Sequence, residues 1–178
     1  MHFKGTYTAL ITPFYRNESV DFDALEQLVE QQIEAGVDGI VPVGTTGESP
    51  TLRPDEHLKV IERVVCVSAG RCKVIAGTGA NSTVEAVELT LAAKAFGLDG
   101  TLQVTPYYNK PNDEGLIRHF STVADLGVPV VLYNVPGRTS REIPISVVAE
   151  LAQHPYVVSV KEAAGSVERV SEILNVCS

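Results

Sequence analysis

Short runs rich in valine and isoleucine alternate with amphipathic segments along the 178 residues, and this alternation limits the folds available to the chain. The runs are nearly continuous in apolar residues, as in parallel strands that are covered on both faces. They predict six strands, at 6–11, 39–43, 74–76, 101–105, 130–134 and 157–161. The segments between them have helical apolar spacing, which predicts an α/β fold. Pro42 donates no ladder hydrogen bond, so we expect a bulge in the second strand.

Six strand–helix units fit either an open, doubly wound sheet or a β/α barrel. Three helix-to-strand junctions, at 36–41, 97–102 and 127–132, begin with glycine and form a weak repeat of about thirty residues, the size of one βα unit. A (β/α)8 TIM barrel needs eight units and usually at least about 200 residues. No linker divides this chain, so we predict one α/β domain over residues 1–178, which would be an incomplete barrel if its units form one. In that case we expect the native protein to be longer, or closed by another chain.

Composition excludes several classes of function. The net charge of −8 disfavours nucleic acid and anionic membranes as partners, and no apolar run approaches the roughly 18 residues of a membrane span. Three cysteines without CxxC spacing and four scattered histidines indicate neither a disulfide framework nor a metal site. No GxGxxG follows the first strand, and no P-loop occurs, so no nucleotide cofactor is indicated. We expect a cytoplasmic protein without metal or nucleotide.

In both architectures the ligand site lies at the carboxyl ends of the strands, and Lys161 ends the sixth strand there. Desolvation at that position would favour the neutral amine, which can attack a ketone and form a Schiff base. The resulting iminium then acts as an electron sink. By position alone, a solvated lysine at the rim is the commoner case.

Other polar residues follow the neighbouring predicted strands. Tyr133 could be a general acid/base that faces the amine, or a packed strand tyrosine. Thr45 and Thr46 could offer hydroxyls and amides to a carboxylate, although a tight βα turn accounts equally well for them. Arg138 could bind a second carboxylate, although a solvated loop arginine is commoner.

Six motifs in order along the chain resemble the dihydrodipicolinate synthase family of pyruvate-dependent class I aldolases, a superfamily that includes N-acetylneuraminate lyase. They are TP at 12–13, GTTGES at 44–49, AGTGAN at 76–81, TPYYN at 105–109, YNVPGRT at 133–139 and KEA at 161–163. Each motif alone is modest evidence, but all six at compatible spacing are specific.

The resemblance implies catalytic roles for four residues. Lys161 matches the lysine that forms the Schiff base with pyruvate, and Tyr133 matches the tyrosine that donates and accepts protons. Thr45 and Tyr108 match the other members of the proton relay. In the family the second tyrosine reaches in from a neighbouring subunit, which implies a homo-oligomer, usually a dimer of dimers.

The resemblance also implies the substrates. Thr46 matches a contact to the pyruvate carboxylate, and Arg138 matches the arginine that receives the carboxylate of L-aspartate-4-semialdehyde. The implied reaction yields 4-hydroxy-tetrahydrodipicolinate, a step of lysine (diaminopimelate) biosynthesis. Within the superfamily, Arg138 and the Thr-Thr pair favour this synthase over the sugar-acid lyases.

Feedback control and competing functions stay open at this point. Some family members bind lysine as an inhibitor, and four residues match that site here: Ser49, Asn81, Glu85 and Tyr107. The alternatives to the synthase are another pyruvate-dependent aldolase, such as an N-acetylneuraminate or keto-sugar-acid lyase, and a truncated, inactive chain with a structural or regulatory role in an oligomer. A doubly wound nucleotide-binding domain is disfavoured, because every motif falls at the carboxyl end of a strand.

Overall fold

The computed structural model describes residues 3–177, so Met1, His2 and Ser178 lie outside it. Strands and helices alternate as predicted, and β5 has the bounds that the sequence indicated. The strands are β1 (Tyr7–Ala9), β2 (Gly39–Val41), β3 (Lys73–Gly77), β4 (Gly100–Val104), β5 (Val130–Asn134) and β6 (Val157–Glu162). The helices are α1 (Phe22–Glu34), α2 (Pro54–Ser68), α3 (Thr83–Lys94), α4 (Asp113–Ala124), α5 (Pro136–Thr139), α6 (Ile145–Leu151) and α7 (Val167–Val176).

The second strand is shorter than the sequence predicted. β2 ends at Val41, and the expected bulge around Pro42 is wrong. Val43 has a φ of 46°, which is outside the range of a strand. The Pro42 carbonyl still accepts a hydrogen bond from the Gly77 amide at 3.0 Å. The chain therefore leaves the sheet where the proline removes a donor.

The chain divides into two compact units. The amino-terminal unit comprises Lys4–Thr78 and Leu91–Thr101, and the carboxy-terminal unit comprises Gly79–Thr90 and the residues from Leu102 onward. In the amino-terminal unit β2 pairs in parallel with β1 and with β3, and Ile40 lies opposite Thr8 and Val74. Its core contains the fully buried side chains of Leu25, Val29, Ile40, Ile61 and Val64.

In the carboxy-terminal unit β5 lies beside β6, again in parallel, and β6 is the last of the six described strands. The register shifts between Val130, opposite Val157, and Val131, opposite Ser159. Beyond this irregularity the pairing is regular to the end of both strands. The core of this unit is fully buried and includes Leu116, Phe120, Leu132, Ile143 and Val148.

Among residues 3–177, no helix is both long enough and apolar enough to cross a bilayer. The three cysteines are free; Cys72 is buried, and the other two are exposed.

Candidate active site

Lys161 and Tyr133 are brought together by the pairing of β5 and β6. They are register partners, and the Lys161 Nζ lies 4.4 Å from the centroid of the Tyr133 ring. Tyr133 is buried, at 6% exposure, yet its hydroxyl has no hydrogen-bond partner within residues 3–177. Thr105 fixes the backbone here, because its amide and its hydroxyl both donate to the Tyr133 carbonyl, at 3.0 and 2.9 Å. The arrangement places an amine and an available phenol side by side.

The described residues leave Lys161 exposed, which is the commoner case for a lysine at the end of a strand. They do not provide the desolvation that would favour a neutral amine. Within the carboxy-terminal unit, the group that restrains the ammonium is the Tyr133 ring.

Tyr108 and Arg138 belong to the same unit and are both exposed. Tyr108 is 92% exposed, and its φ of 69° is in the left-handed region that bulky residues rarely adopt. Two amide hydrogen bonds hold this turn: Asn81 Nδ2 donates to the Tyr107 carbonyl at 3.3 Å, and Asn109 Nδ2 donates to the Asn81 carbonyl at 2.9 Å. Arg138 lies on α5, exposed and without an ion pair in the described chain.

The two threonines lie in the amino-terminal unit, in a short 3₁₀ turn at Thr45–Gly47 that follows β2. Thr12, which is buried, holds this turn by donating its hydroxyl to the Gly47 carbonyl at 2.7 Å. The hydroxyls of Thr45 and Thr46 have no partner within residues 3–177, which leaves them available to a ligand. The hydrogen bond from Thr12 to Gly47 gives the TP motif at 12–13 a structural role.

The last residue of β3, Gly77, is packed tightly against the segment that precedes this turn. A side chain at Gly77 would place its Cβ 2.3 Å from the Val43 carbonyl oxygen, so only glycine fits.

The four residues that match a lysine effector site fall into two groups. Asn81, Glu85 and Tyr107 lie together in the carboxy-terminal unit, where burial and the Glu85 charge raise the pKa of the Tyr107 phenol. Ser49 lies in the amino-terminal unit, beside the buried His57. Desolvation lowers the pKa of His57, whose Nε2 lies 2.7 Å from the Gly77 carbonyl oxygen.

A buried ionic network next to Lys161 was missed by the sequence analysis. Asn134 Nδ2 lies 2.9 Å from both carboxylate oxygens of Glu162, and Arg169 Nε donates to the same carboxylate at 2.7 Å. Ser166 caps α7 by accepting from the Arg169 amide, which places Arg169 in the first turn. The sequence contains one indication of this network, because Asn134 directly follows Tyr133 and Glu162 directly follows Lys161.

The family model described as the Dihydrodipicolinate synthetase family matches residues 2–178. The chain belongs to this family. The 4-hydroxy-tetrahydrodipicolinate synthase of Pelobacter propionicus is 54% identical over 176 residues, covering 98% of this chain and 60% of the relative.

Solved structures of dihydrodipicolinate synthases have the same fold. The enzyme from Aquifex aeolicus superposes with a TM-score of 0.96 at 49% identity, over 99% of this chain and 60% of that chain. The chloride-inhibited synthase of Acinetobacter baumannii complexed with pyruvate gives a TM-score of 0.95 at 46% identity, over 97% and 60% of the two chains. The predicted β/α-barrel family, represented by six βα units, is confirmed. The chain spans about 60% of the length of the curated relatives it matches.

A metal centre finds no support in the part of this family member that the structure describes. Between Phe3 and Cys177, no cluster of three or more histidine, cysteine, aspartate or glutamate side chains is arranged to hold an ion.

Proposed function

We propose that this chain carries the catalytic machinery of a 4-hydroxy-tetrahydrodipicolinate synthase, which condenses pyruvate with L-aspartate-4-semialdehyde. One observation carries the proposal: the Lys161 ammonium lies 4.4 Å from the ring of a buried tyrosine whose hydroxyl is available. An amine that forms an imine needs a nearby group that both donates and accepts protons, and Tyr133 is such a group. The names of the relatives support the choice of substrates.

The proposed reaction begins at the keto carbon of pyruvate. The neutral Lys161 amine adds to it, and the carbonyl electron pair moves to oxygen, which is protonated. Loss of water gives the iminium, and loss of a proton from the methyl carbon then gives an enamine. The enamine carbon forms a bond to the aldehyde carbon of the second substrate, whose oxygen takes up a proton. The amino group of that substrate displaces Lys161 and closes the ring, so one water is released overall.

We assign a role in this reaction to each of the other site residues. Tyr133 transfers the protons, and Thr45 and Tyr108 complete the relay. Thr46 contacts the pyruvate carboxylate, and Arg138 receives the carboxylate of the semialdehyde. The Arg138 guanidinium is exposed and has no ion pair among residues 3–177, which is consistent with an anion partner.

We further propose the setting in which the chain acts. Residues 1–178 form part of one β/α-barrel catalytic domain that works in the cytoplasm, with neither metal nor nucleotide. The chain forms a homo-oligomer, a dimer of dimers, in which the outward Tyr108, 92% exposed, enters the site of a second copy. Ser49, Asn81, Glu85 and Tyr107 form an effector site for lysine.

The decisive experiment is reduction of the imine with borohydride. The 178-residue chain is incubated with pyruvate and reduced, and the modified peptide is mapped by mass spectrometry. We expect a pyruvyl adduct on Lys161 that is absent from Lys161→Ala. Lys59→Ala, which removes an exposed lysine on α2, is the matched control and should be labelled normally.

The second substrate is identified by adding an aldehyde before reduction. L-aspartate-4-semialdehyde should consume the pyruvyl adduct and release the cyclic product, whereas a sugar aldehyde should not. Consumption by the sugar aldehyde instead would assign the chain to a sugar-acid lyase. A folded chain that forms no adduct would favour the structural role in an oligomer.

A further inference from the structure

Beside the proposed active site lies a network of three side chains from three elements. Asn134 ends β5, Glu162 ends β6, and Arg169 lies in the first turn of α7. The Glu162 carboxylate accepts from Asn134 Nδ2, from Arg169 Nε at 2.7 Å and from the Ala164 amide at 2.7 Å. We call Asn134, Glu162 and Arg169 the register clamp.

The register clamp is anchored on its other side by the segment before α6. The Ile143 amide donates to Asn134 Oδ1 at 2.9 Å, and the Arg169 guanidinium donates to the Ile143 carbonyl. A further nitrogen of Arg169 lies 2.9 Å from the Glu142 carboxylate. Every polar side-chain atom of Asn134 and Glu162 thus has a hydrogen-bond partner. Neither side chain can therefore move without breaking a hydrogen bond of the network.

The network is largely buried, and its hydrogen bonds favour the ionised form of Glu162. Asn134 is fully buried, and the side chains of Arg169 and Glu162 are only 9% and 8% exposed. Burial opposes ionisation of Glu162 and is the largest single influence, but the hydrogen bonds from Arg169, Asn134 and Ala164 together lower its pKa. A buried ion pair of this kind is costly to break from one side, because the remaining charge loses its partner.

The position of the register clamp connects it to Lys161. Asn134 and Glu162 are opposite each other in the pairing of β5 and β6, one step beyond Tyr133 and Lys161. Successive side chains of a strand point to opposite faces, so the clamp and the lysine–tyrosine pair lie on the two sides of the same strand ends. A slip of β6 by one residue would separate the clamp and turn Lys161 to the other face.

Such a slip is a specific risk for this strand, because the register of β6 against β5 already shifts by one residue between Val130 and Val131. Backbone hydrogen bonds re-form in a slipped register, and the contact of an exposed ammonium with a ring is too weak and too undirected to prevent it. The buried ion pair between Arg169 and Glu162 can form in one register only.

We infer that Asn134, Glu162 and Arg169 are positioning residues that hold β6 in the register that puts the Lys161 ammonium over the Tyr133 ring. This inference adds positioning residues to the proposed active site. Only the predicted effect of these residues on the reaction rests on the proposed function. The placement of the ammonium is a property of the folded chain and can be measured without substrate.

The placement is tested by NMR of the chain labelled with ¹³C-lysine. The chain contains six lysines, and the ring current of Tyr133 should move the εCH₂ signal of Lys161 upfield from the other five. Tyr133→Leu should abolish this displacement, and Lys161→Ala should remove the signal, which assigns it to Lys161.

The clamp is tested by replacing its carboxylate. In Glu162→Gln one acceptor oxygen becomes a donor facing Asn134 and Arg169, so we expect most of the displacement of the Lys161 signal to be lost. Glu172→Gln, on the exposed side of α7, should change nothing.

The effect on the reaction is measured by the rate of borohydride trapping with pyruvate. In Glu162→Gln we expect the maximal rate to fall about ten- to a hundred-fold, the size of effect that a misplaced reacting group causes. The pyruvate concentration for half-maximal trapping should change much less, because the carboxylate contacts are elsewhere. A folded Glu162→Gln with an unchanged Lys161 signal and an unchanged rate would overturn the inference.

A second variant covers the case in which Glu162→Gln does not fold. Arg169→Lys keeps the charge but cannot reach Glu142, Glu162 and the Ile143 carbonyl together, so it should lose part of the Lys161 displacement. An unchanged signal in this variant would also contradict the clamp. If the signal depends on the clamp while the wild-type chain forms no pyruvyl adduct, the clamp stands and the proposed function fails.

Discussion

The Lys161 ammonium lies over the face of the Tyr133 ring, 4.4 Å from its centroid, and the phenol hydroxyl of the same ring has no partner in the described chain. We therefore propose separable functions for the ring and the hydroxyl. In this proposal the ring restrains the amine, and the hydroxyl exchanges protons with a bound substrate.

The first prediction separates these two functions. Tyr133→Phe keeps the ring and removes the proton donor, so Lys161 should stay in place while imine formation slows by about a hundred-fold. The measurement is the rate of borohydride trapping with pyruvate, alongside the Lys161 NMR signal. Tyr156→Phe, which alters an exposed tyrosine in the same unit, should leave both unchanged. Equal trapping rates in Tyr133→Phe and wild type would exclude Tyr133 as the proton carrier.

The second prediction concerns the turn that carries the two threonines. Thr12→Val removes the hydroxyl that donates to the Gly47 carbonyl at 2.7 Å and leaves a buried acceptor unpaired. We expect the free energy of unfolding to fall by about 1–3 kcal/mol. The urea midpoint at an unchanged slope measures this loss. Thr51→Val removes a hydrogen bond to the Glu48 carbonyl at an exposed position and should have little effect.

The third prediction assigns Arg138 to the second substrate alone. Arg138→Ala should form the pyruvyl adduct at the normal rate but should consume it at least about ten-fold more slowly when L-aspartate-4-semialdehyde is added, because a charge-assisted contact is lost. The comparison variant is Arg118→Ala, which removes an exposed arginine of α4. Slower formation of the first adduct in Arg138→Ala would show that this residue also acts on pyruvate.

The fourth prediction concerns the stability of the fold in acid. His119 is buried on α4, its Nδ1 lies 2.9 Å from the Thr83 hydroxyl, and its Nε2 has no partner in the described chain. Desolvation lowers its pKa from 6.5 to about 4. Between these values the unfolded chain binds a proton that the folded chain does not. Stability is therefore present above pH 6.5 and lost as the pH falls toward 4, by about 3 kcal/mol.

His119→Gln tests this prediction, since glutamine does not titrate. Its free energy of unfolding, measured by urea at several pH values, should fall less steeply between pH 6.5 and 4 than that of the wild type. The comparison uses the slope, so an overall loss of stability in the variant does not affect it. His154→Gln, at the partly exposed pair with Asp125, is the control. Parallel curves for His119→Gln and wild type would show that His119 does not carry the acid sensitivity.

Hydrophobic patterning predicted the fold well where a strand is buried on both faces. β5 has the predicted bounds because every residue from Val130 to Asn134 is buried, so the apolar run and the strand coincide. β2 was predicted two residues too long, because apolarity continues through Pro42 and Val43 although the backbone leaves the sheet. The apolar pattern predicts which residues are buried, but the backbone dihedral angles determine where the strand ends.

The pairing of the two central candidate residues could be predicted from the sequence, but the contacts that support them could not. Lys161 and Tyr133 could be placed side by side because neighbouring parallel strands end at the same edge of a sheet. The exposure of Lys161 depends on what packs over β6, which its own segment does not encode. Arg169 could not be assigned to Glu162 because a contact between the end of a strand and the start of a helix has no period in the sequence.

The close approach at Gly77, where a Cβ would come within 2.3 Å of the Val43 carbonyl oxygen, has a consequence for engineering. The segment between β2 and the threonine turn touches the end of β3 backbone to backbone, so neither has freedom to accept a foreign sequence on its own. Loop grafting in this unit would have to exchange both segments as a pair and keep the glycine at their contact.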